Sequence, residues 1–411
     1  MLRAEFSGYN GSKLVKDLLA GLTVAAVALP LALAFGVASG ASAASGLVTA
    51  IIAGIVISAL SGASFQISGP TGAMSAVLIG IASTVGLNGV FWVCLIAGVL
   101  LLVCGIFKLG GLVKLIPRPV ITGFTSGIAV IIALGQVDNF FGTISEGESA
   151  IQKLISYGTL GFKPHLWTVL LGLVVVAIMI IWPKKWNARV PSSLIGIIVA
   201  TVIYVIFRFD GVATVGEIPK TLFLSEKISF SDFNLDTLKT LISPALTVAA
   251  LGMIESLLCG ASASKMKNEP FDANIELIGQ GVGNILLPFF GGVPATAAIA
   301  RTSVAIKSGA QTRLTGIFHA LWLLAAMFLL GNVMALVPMS VLAGVLMVTA
   351  WRMNEWHEIK HMFKNKLVGE ILQFLITMIA TVVFDLTIAI VIGIVFSLIL
   401  KLFWRKPKKS E

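Results

Sequence analysis

The chain has 411 residues, of which 57% are hydrophobic and only 12% are charged, and its mean hydropathy is +1.00. This composition is more apolar than the core of a soluble protein requires, so it excludes a soluble or disordered chain and indicates a membrane protein. The net charge of +10 does not call for a nucleic-acid partner, because most basic residues cluster at the ends of apolar segments.

Apolar segments follow one another along almost the whole chain, and about fourteen of them predict helical membrane spans. The sequence therefore predicts an all-α polytopic membrane protein. The first seven spans are predicted at 17–37, 43–60, a short one at 70–84, 90–107, 117–139, 165–183 and 190–207. A connector with mixed charges occupies 208–236. The last seven spans are predicted at 237–260, 274–290, a short one at 294–308, 312–330, 333–350, 367–383 and 386–404.

The two halves carry a repeat. The string LTVAA occurs at residues 22–26 and again at 246–250, an offset of 224 residues. The proline-led segments GPTGAM at Gly69 and VPATAA at Val293 keep the same offset between Pro70 and Pro294. Because two separate features repeat at the same offset, duplication of a segment explains them better than chance. Related halves with matching interrupted segments are typical of secondary transporters, which hold substrate where those segments meet.

The basic residues predict the orientation of the chain. They precede the first span or follow the even-numbered ones, and they include Lys13, Lys16, Lys108, Lys114, Arg118, Lys184, Lys185, Arg189, Lys265, Lys267, Arg313, Arg352 and Lys406. Positive residues gather on the cytoplasmic side, so we expect both termini in the cytoplasm. The first copy of the repeat begins on this side and the second ends there at Lys265, which makes the repeat inverted.

The prolines indicate an anion site. Pro70 and Pro294 each follow a glycine-containing stretch and suit the first turn of a helix, so two short half-helices are expected to begin in mid-membrane. Free amides and the helix dipole at such ends bind anions. The small or hydroxyl residues expected there are Thr71, Gly72, Ala73, Thr296, Ala297 and Ala298. Taken singly, these residue types also suit close helix packing.

Two charged residues fall inside predicted spans of the second half. Arg301 lies two turns after Pro294, where an intramembrane cation would favour anions. Glu255 lies in mid-span and suits proton or cation coupling, although a fixed ion pair with Arg301 is the structural alternative. The acids near span ends are expected to be hydrated; these are Asp17, Asp138, Glu276, Glu370 and Asp385.

Two motifs point to other readings. Residues 357–361 fit H-E-x-x-H, the zinc protease pattern, but no third ligand is evident and an amphipathic interfacial helix explains the segment more simply. Ala41-Ser42-Ala43 resembles a signal-peptide cleavage site, but the preceding apolar run is too long and belongs to the repeat. We therefore expect neither an enzyme nor a metal or other cofactor.

Several motifs together resemble those of the sulfate permease (SulP) family of anion transporters: residues 28–47 (ALPLALAFGVASGASAASGL), the ISGPTGAM segment and residues 291–320. The resemblance implies a seven-plus-seven inverted repeat, like that of uracil permease, in a bacterial inner membrane. It divides the chain into core segments at 1–110 and 237–331 and gate segments at 111–207 and 332–411. It adds Phe35 to the anion site and places Glu255 at the acidic coupling position. A homodimer is also expected.

The sequence departs from the family pattern at informative places. Residues 29–32 read LPLA where many sulfate-type members have LPQG, a variant closer to bicarbonate and dicarboxylate members. Sodium-coupled bicarbonate members have an Asp and two Thr where this chain has Glu255, Cys259 and Ile299, which leaves a sodium site short of oxygen ligands. Family members usually carry a STAS domain after the last span, and this chain ends at Glu411, as a naturally short member or a truncated one.

These features predict a secondary active transporter of sulfate, bicarbonate or dicarboxylate anions that is proton-coupled and works by an elevator-type motion. The alternatives are an uncoupled anion channel or exchanger, and sodium-coupled bicarbonate uptake. A nucleobase transporter of the same architecture would carry a carboxylate on the second short helix, and residues 294–308 contain none.

Overall fold

A computed structural model describes residues 5–111, 116–147, 150–183, 186, 190–231, 235–384 and 386–403. The helices of the first half are α1 (Gly11–Ala38), α2 (Ala43–Leu60), α3 (Gly72–Ile106), α4 (Arg118–Gly135), α5 (Val137–Phe141), α6 (Ala150–Leu160), α7 (Leu166–Ile181) and α8 (Ser192–Phe207). Those of the second half are α9 (Leu235–Lys267), α10 (Ala273–Leu286), α11 (Ile299–Lys307), α12 (Leu314–Met334), α13 (Met339–Met353), α14 (Trp356–Lys364), α15 (Val368–Val383) and α16 (Leu386–Phe403). A 3-10 turn (Leu287–Phe290) and two short strands, β1 (Ser68–Gly69) and β2 (Thr296–Ala297), complete the fold.

The helical membrane architecture expected from the composition is confirmed. Six helices in the described part of the chain are long and apolar enough to cross a bilayer, and five further apolar helices have 10–17 residues. The number of fourteen spans stays a prediction. Several positions used in the sequence analysis lie outside the described residues, namely Lys114, Lys184, Lys185, Arg189, Asp385 and the basic tail after Phe403.

Helix α3 consists of two helical stretches that meet at a kink, and they correspond to the predicted third and fourth spans. The kink is at Gly86, whose backbone has φ 73° and ψ 176°. A positive φ is accessible to glycine without a steric cost, so this residue permits a sharp change of direction between the two stretches.

The two interrupted segments cross as a short antiparallel pair. Ser68 lies opposite Ala297 and Gly69 opposite Thr296. The prediction that the prolines occupy the first helical turn is wrong: α3 begins two residues after Pro70 at Gly72, and α11 begins only at Ile299. The second segment stays extended longer because the amides of Ala297 and Ala298 bond outside the helix, to the Ser256 hydroxyl at 3.2 Å and the Ile67 carbonyl at 3.0 Å.

Helices from the two halves pack into each other. Helix α3 packs on α9 and α10, and α12 packs on α1 and α2, while α4 packs on α15 and α13 packs on α7. Glycines allow the backbones of α3 and α10 to touch, since a Cβ at Gly98 would lie 2.6 Å from the Ile285 amide nitrogen. Close approach at small residues is the usual way in which membrane helices associate.

Asp17 is fully buried, so the expectation of a hydrated carboxylate is wrong at this position. It accepts hydrogen bonds from the Tyr9 hydroxyl, the Thr312 and Thr315 hydroxyls, and the amides of Gln311 and Thr312, at 2.6–3.1 Å. Burial and, next, the hydrogen bond to Asp17 raise the pKa of Tyr9, which precedes α1, to about 12. This cluster joins the start of α1 to the loop before α12.

Glu276 is also fully buried, contrary to the same expectation. It accepts hydrogen bonds from the Ser61 hydroxyl at 2.5 Å, the Gln280 amide at 2.8 Å and the Gly62 backbone amide at 3.2 Å. A pattern of hydropathy cannot reveal such donors, because Ser61 and Gly62 come from the other half of the chain. Glu370, in contrast, is exposed as expected.

Candidate functional site

A cavity of about 470 Å³ lies where the interrupted segments meet α9, α4 and α13. One wall consists of Phe35 on α1, the residues that open α3, the segment leading into α11, and Glu255 on α9. The facing wall belongs to α4 and α13. Its lining residues are Ile121, Phe124, Thr125, Ile128, Ile132, Leu346, Thr349, Ala350, Arg352 and Met353, followed by Asn354 and Glu355.

Most of the residues predicted for the site line this cavity. Phe35, Thr71, Gly72, Ala73, Ala297, Ala298 and Glu255 are all at its surface. Thr296 and Arg301 are not, although both lie directly behind residues that are. Seven of the nine predicted residues thus line one cavity, and their role in binding an anion stays a prediction.

Glu255 is held by the two threonines that were expected to donate to the anion. The hydroxyls of Thr71 and Thr296 donate to the same oxygen of Glu255, at 2.8 and 2.6 Å. The Thr296 hydroxyl also lies 3.2 Å from that of Thr71. The carboxylate thus bridges the two interrupted segments, and both hydroxyls are occupied by it rather than free for a ligand.

Arg301 is 2% exposed and is held by main chain. Its Nη2 donates to the Pro70 carbonyl at 3.0 Å, and its Nη1 has no hydrogen-bond partner. Gly69 leaves room for this guanidinium, because a Cβ there would lie 2.6 Å from Nη1. Among the described side chains no ion pair joins Arg301 to Glu255, so the fixed pair considered as the structural alternative is not formed.

In the second half of the chain, the backbone amides that are available at the cavity are not the ones that the sequence predicted. The amides of Ala297 and Ala298 already have partners, whereas Ile299 and Ala300, which also line the cavity, occupy the first turn of α11. First-turn amides of a helix lack an intrahelical acceptor. In the first half Gly72 occupies the same position in α3. Two helix starts therefore offer main-chain donors to one space.

The wall formed by α4 and α13 was not anticipated. The α4 residues that line the cavity recur every three or four positions, as expected for one helix face. At the far end, the Thr122 hydroxyl donates to Glu355, and Arg352 donates to the Met179 carbonyl. A helical period in α4 could have shown that it has a cavity face, but only the packing shows which partner that face meets.

The H-E-x-x-H segment lies elsewhere. It forms α14, where His357 and His361 are exposed. Across the described ranges no group of three metal-ligating side chains comes together, at α14 or elsewhere.

The fold and the cavity define a polytopic helical membrane protein in which two interrupted helices converge on a ligand-sized space. The sequence model of the Sulfate permease family matches residues 14–380, and the chain belongs to this family. Putative sulfate transporter YvdB of Bacillus subtilis (strain 168) is 40% identical over 371 residues, covering 88% of this chain and 68% of that protein.

Similarity extends to bicarbonate transporters. Bicarbonate transporter BicA of Picosynechococcus sp. (strain ATCC 27264 / PCC 7002 / PR-6) is 33% identical over 375 residues, covering 88% of this chain and 66% of that protein. The transmembrane domain of a cyanobacterium bicarbonate transporter BicA superposes with a TM-score of 0.84 at 29% identity, covering 95% of this chain and 98% of that domain. The chain spans about two thirds of the length of these curated relatives, which are transporters and not enzymes.

Proposed function

We propose that the chain is a secondary transporter of small anions of the sulfate, bicarbonate or dicarboxylate class. The observation that carries the proposal is the cavity at which α3 and α11 both begin. The unpaired first-turn amides of two helices give a positive potential in one cavity. The relatives named for sulfate and bicarbonate support this class of substrate.

Arg301 adds to this potential from behind the wall. A buried guanidinium held against the Pro70 carbonyl keeps its charge close to the start of α3. Because an unpaired charge in a membrane interior is costly, an anion entering the cavity stabilises Arg301 as much as Arg301 stabilises the anion. We therefore assign Arg301 to anion selectivity without direct exposure to the cavity.

Glu255 is proposed to couple transport to a proton. A carboxylate at the cavity surface repels an anion, and proton binding removes that repulsion, so anion and proton favour each other's binding. The two threonine hydroxyls keep Glu255 in place when its charge is lost, because an O–H group can remain bonded to either form of the carboxyl. Symport follows if anion and proton leave together on the other side.

Sodium coupling is a second candidate, favoured by one observation. Glu255, Thr71 and Thr296 bring side-chain oxygens together within hydrogen-bond distance, more than the sequence suggested. Two further positions that could complete a sodium coordination shell supply no oxygen ligand. The thiol of Cys259 donates to the Thr302 hydroxyl at 3.4 Å, and Ile299 has no polar side-chain atom. A proton therefore remains the preferred coupling ion.

The cavity lies between the two groups of helices that we propose to move relative to each other. The core comprises α1–α3 and α9–α12, and the gate comprises α4–α8 and α13–α16, in keeping with an inverted seven-plus-seven repeat and about fourteen spans. A smaller cavity of about 190 Å³ shares Ile132 with the first and is lined beyond it by Ser75, Asp138 and Lys153 among others. Ile132 thus separates two spaces that could open alternately, as an elevator-type motion requires.

The proposed orientation puts both termini in the cytoplasm of a bacterial cell and the 352–355 end of the larger cavity on that side. The structure then corresponds to an inward-facing form. A homodimer stays part of the proposal.

The deciding experiment is uptake into proteoliposomes. Labelled sulfate, bicarbonate, fumarate and chloride are tested under separate proton and sodium gradients with the membrane potential clamped at zero. We expect one anion class to accumulate above equilibrium when the proton gradient alone is applied. Accumulation under the sodium gradient alone would select the second candidate, and equilibration without accumulation would indicate an uncoupled channel or exchanger.

A matched pair of glycine variants tests the site itself. A Cβ at Gly72 would lie 2.8 Å from Ile132 Cδ1 and 3.1 Å from Phe35 Cε1, whereas a Cβ at Gly80, in the same helix, meets no atom within 4 Å. We expect Gly72→Ala to lower the apparent affinity for the anion and Gly80→Ala to leave it unchanged. Equal effects of the two variants would contradict the assignment of the anion site to this cavity.

A further inference from the structure

A second concavity of about 380 Å³ lies on the outer face of the gate helices, and we call it the gate groove. It is lined by Ser126, Ala129, Val130 and Ala133 on α4, by Met347, Ala350, Trp351 and Asn354 at the end of α13, by Trp356 and Ile359 on α14, and by Phe374 and Met378 on α15. All of these except Ser126 and Asn354 are apolar. Val130 and Trp351 are 38% and 66% exposed, so the groove opens to the surroundings of the protein.

The gate groove and the transport cavity share a wall. Helix α4 presents Phe124 and Ile128 to the cavity and Ala129 and Ala133 to the groove. Ala350 and Asn354 line both spaces. Whatever fills the groove therefore supports the far side of the same two helices that confine the transported anion.

Two basic side chains follow the groove-lining residues of α14. Trp356 and Ile359 of α14 line it, and Lys360 and Lys364 follow Trp356 at four-residue spacing, which places the three on one helix face. Both lysines are exposed. The indole nitrogen of Trp356 donates to the Trp351 carbonyl at 3.0 Å and holds α14 against the end of α13. The face of α14 that lines the groove at Trp356 therefore continues into two exposed cations.

A buried hydroxyl inside the gate groove lacks a partner. Ser126 is 4% exposed, and its Oγ makes no hydrogen bond. A hydroxyl that loses water without gaining an acceptor is destabilising. The groove thus offers a hydrogen-bond donor part of the way along an otherwise apolar surface, which suits a ligand with a carbonyl between its apolar and charged parts.

We propose that the gate groove binds an anionic phospholipid. One acyl chain packs along α4 and α15, an ester carbonyl accepts a hydrogen bond from Ser126, and the phosphate contacts Lys360 and Lys364. Charge complementarity selects this occupant over a zwitterionic lipid, since two cations and no exposed carboxylate follow Trp356 on that face of α14. The bound lipid would hold α4 and α13 at the distance that the anion cavity needs.

Native mass spectrometry of the whole protein in detergent tests the proposal with phosphatidylglycerol and phosphatidylcholine of identical chains. We expect phosphatidylglycerol to bind more tightly, and Lys360→Gln/Lys364→Gln to weaken its binding about tenfold or more while phosphatidylcholine is unaffected. Ala133→Phe, which narrows the groove, should weaken both lipids. The matched control Lys265→Gln/Lys307→Gln removes the same charge from exposed lysines at the ends of α9 and α11 and should change neither.

Two results would overturn the proposal. One is an equal loss of phosphatidylglycerol in the Lys360/Lys364 variant and in its control, which would mean a general attraction to positive charge. The other is an intersubunit disulfide in a Val130→Cys variant in the membrane, which would show that a second copy of the chain covers the groove. The inference rests on the proposed cytoplasmic placement of α14, but lipid binding is read without transport, so its failure is distinguishable from failure of the transport assay.

Discussion

Replacing Glu255 by glutamine is the sharpest test of coupling, because the change removes the titrating proton and keeps the shape. Both threonine bonds reach one oxygen, at 2.8 and 2.6 Å, and an amide oxygen can accept them. Hydrogen bonds to a charged group are worth about 1.5–3 kcal/mol each and neutral ones about 0.5–1.5 kcal/mol. The variant should therefore lose about 2–3 kcal/mol from these two hydrogen bonds and remain folded.

The transport consequence is larger than the stability effect. One pH unit across the membrane supplies about 1.4 kcal/mol per proton, so a symporter with equal stoichiometry accumulates its anion about tenfold. Glu255→Gln should abolish that accumulation while exchange of labelled for unlabelled anion continues at a measurable rate. The assay is uptake at fixed internal pH with the external pH varied, the membrane potential being clamped.

Glu276→Gln serves as the control for Glu255→Gln. Glu276 is a buried carboxylate of the proposed core that hydrogen-bonds to Ser61, Gly62 and Gln280 and does not line the cavity. It should keep proton-driven accumulation even if it lowers thermal stability. Accumulation that persists in Glu255→Gln, or disappears equally in Glu276→Gln, would refute the assignment of coupling to Glu255.

Four further changes test the layer behind the cavity and the N-terminal cluster. Arg301→Met should weaken anion binding roughly tenfold or more, measured by isothermal titration, because it removes a buried cation behind the site; unchanged affinity would contradict the role of Arg301. Gly69→Ala should destabilise the protein by about 1–3 kcal/mol and lower anion affinity, since its Cβ would meet Arg301 Nη1 at 2.6 Å and the backbone has a φ of 158°. Asp17→Ala should reduce unfolding stability by about 3 kcal/mol or more by stranding buried donors, whereas Asp17→Asn should cost less; equal losses would show that the hydrogen bonds of Asp17 contribute little. The raised pKa of Tyr9 stabilises the fold with the phenol neutral, an effect fully present below its ordinary pKa of 10.0 and lost as pH rises through about 12, so Tyr9→Phe should flatten the alkaline loss of stability in thermal scans at pH 9–12.

Proline and the repeat predicted where the chain would be interrupted but not how. Pro70 and Pro294 cannot continue a preceding helix, so interruptions near 70 and 294 follow from covalent chemistry alone. Whether a helix resumes at once depends on hydrogen bonds made elsewhere. Residues 296–298 stay extended because Ser256 and Ile67 accept their amides, and no local pattern encodes that partnership.

For the charged residues, too, the sequence predicted the positions but not the partners. Their positions within apolar segments marked Glu255 and Arg301 as special, because a charge in a membrane interior requires a reason. Their partners were not foreseeable. Glu255 bonds threonines of two different segments, and Arg301 bonds the carbonyl of Pro70, so the ion pair considered as the structural alternative does not form.

Sequence by itself determined that this is a helical membrane protein, where most of its apolar helices lie, that two of its segments are interrupted, and to which family it belongs. Those features depend on hydropathy, on proline geometry and on motifs, all of which are local. Only the tertiary structure decided which residues face the cavity, that α4 and α13 close it, and that Asp17 and Glu276 are buried. The physical reason is that burial and hydrogen-bond partners depend on contacts between segments far apart in the chain, and apolar helices in a membrane carry little sequence signal for which of their faces meets which neighbour.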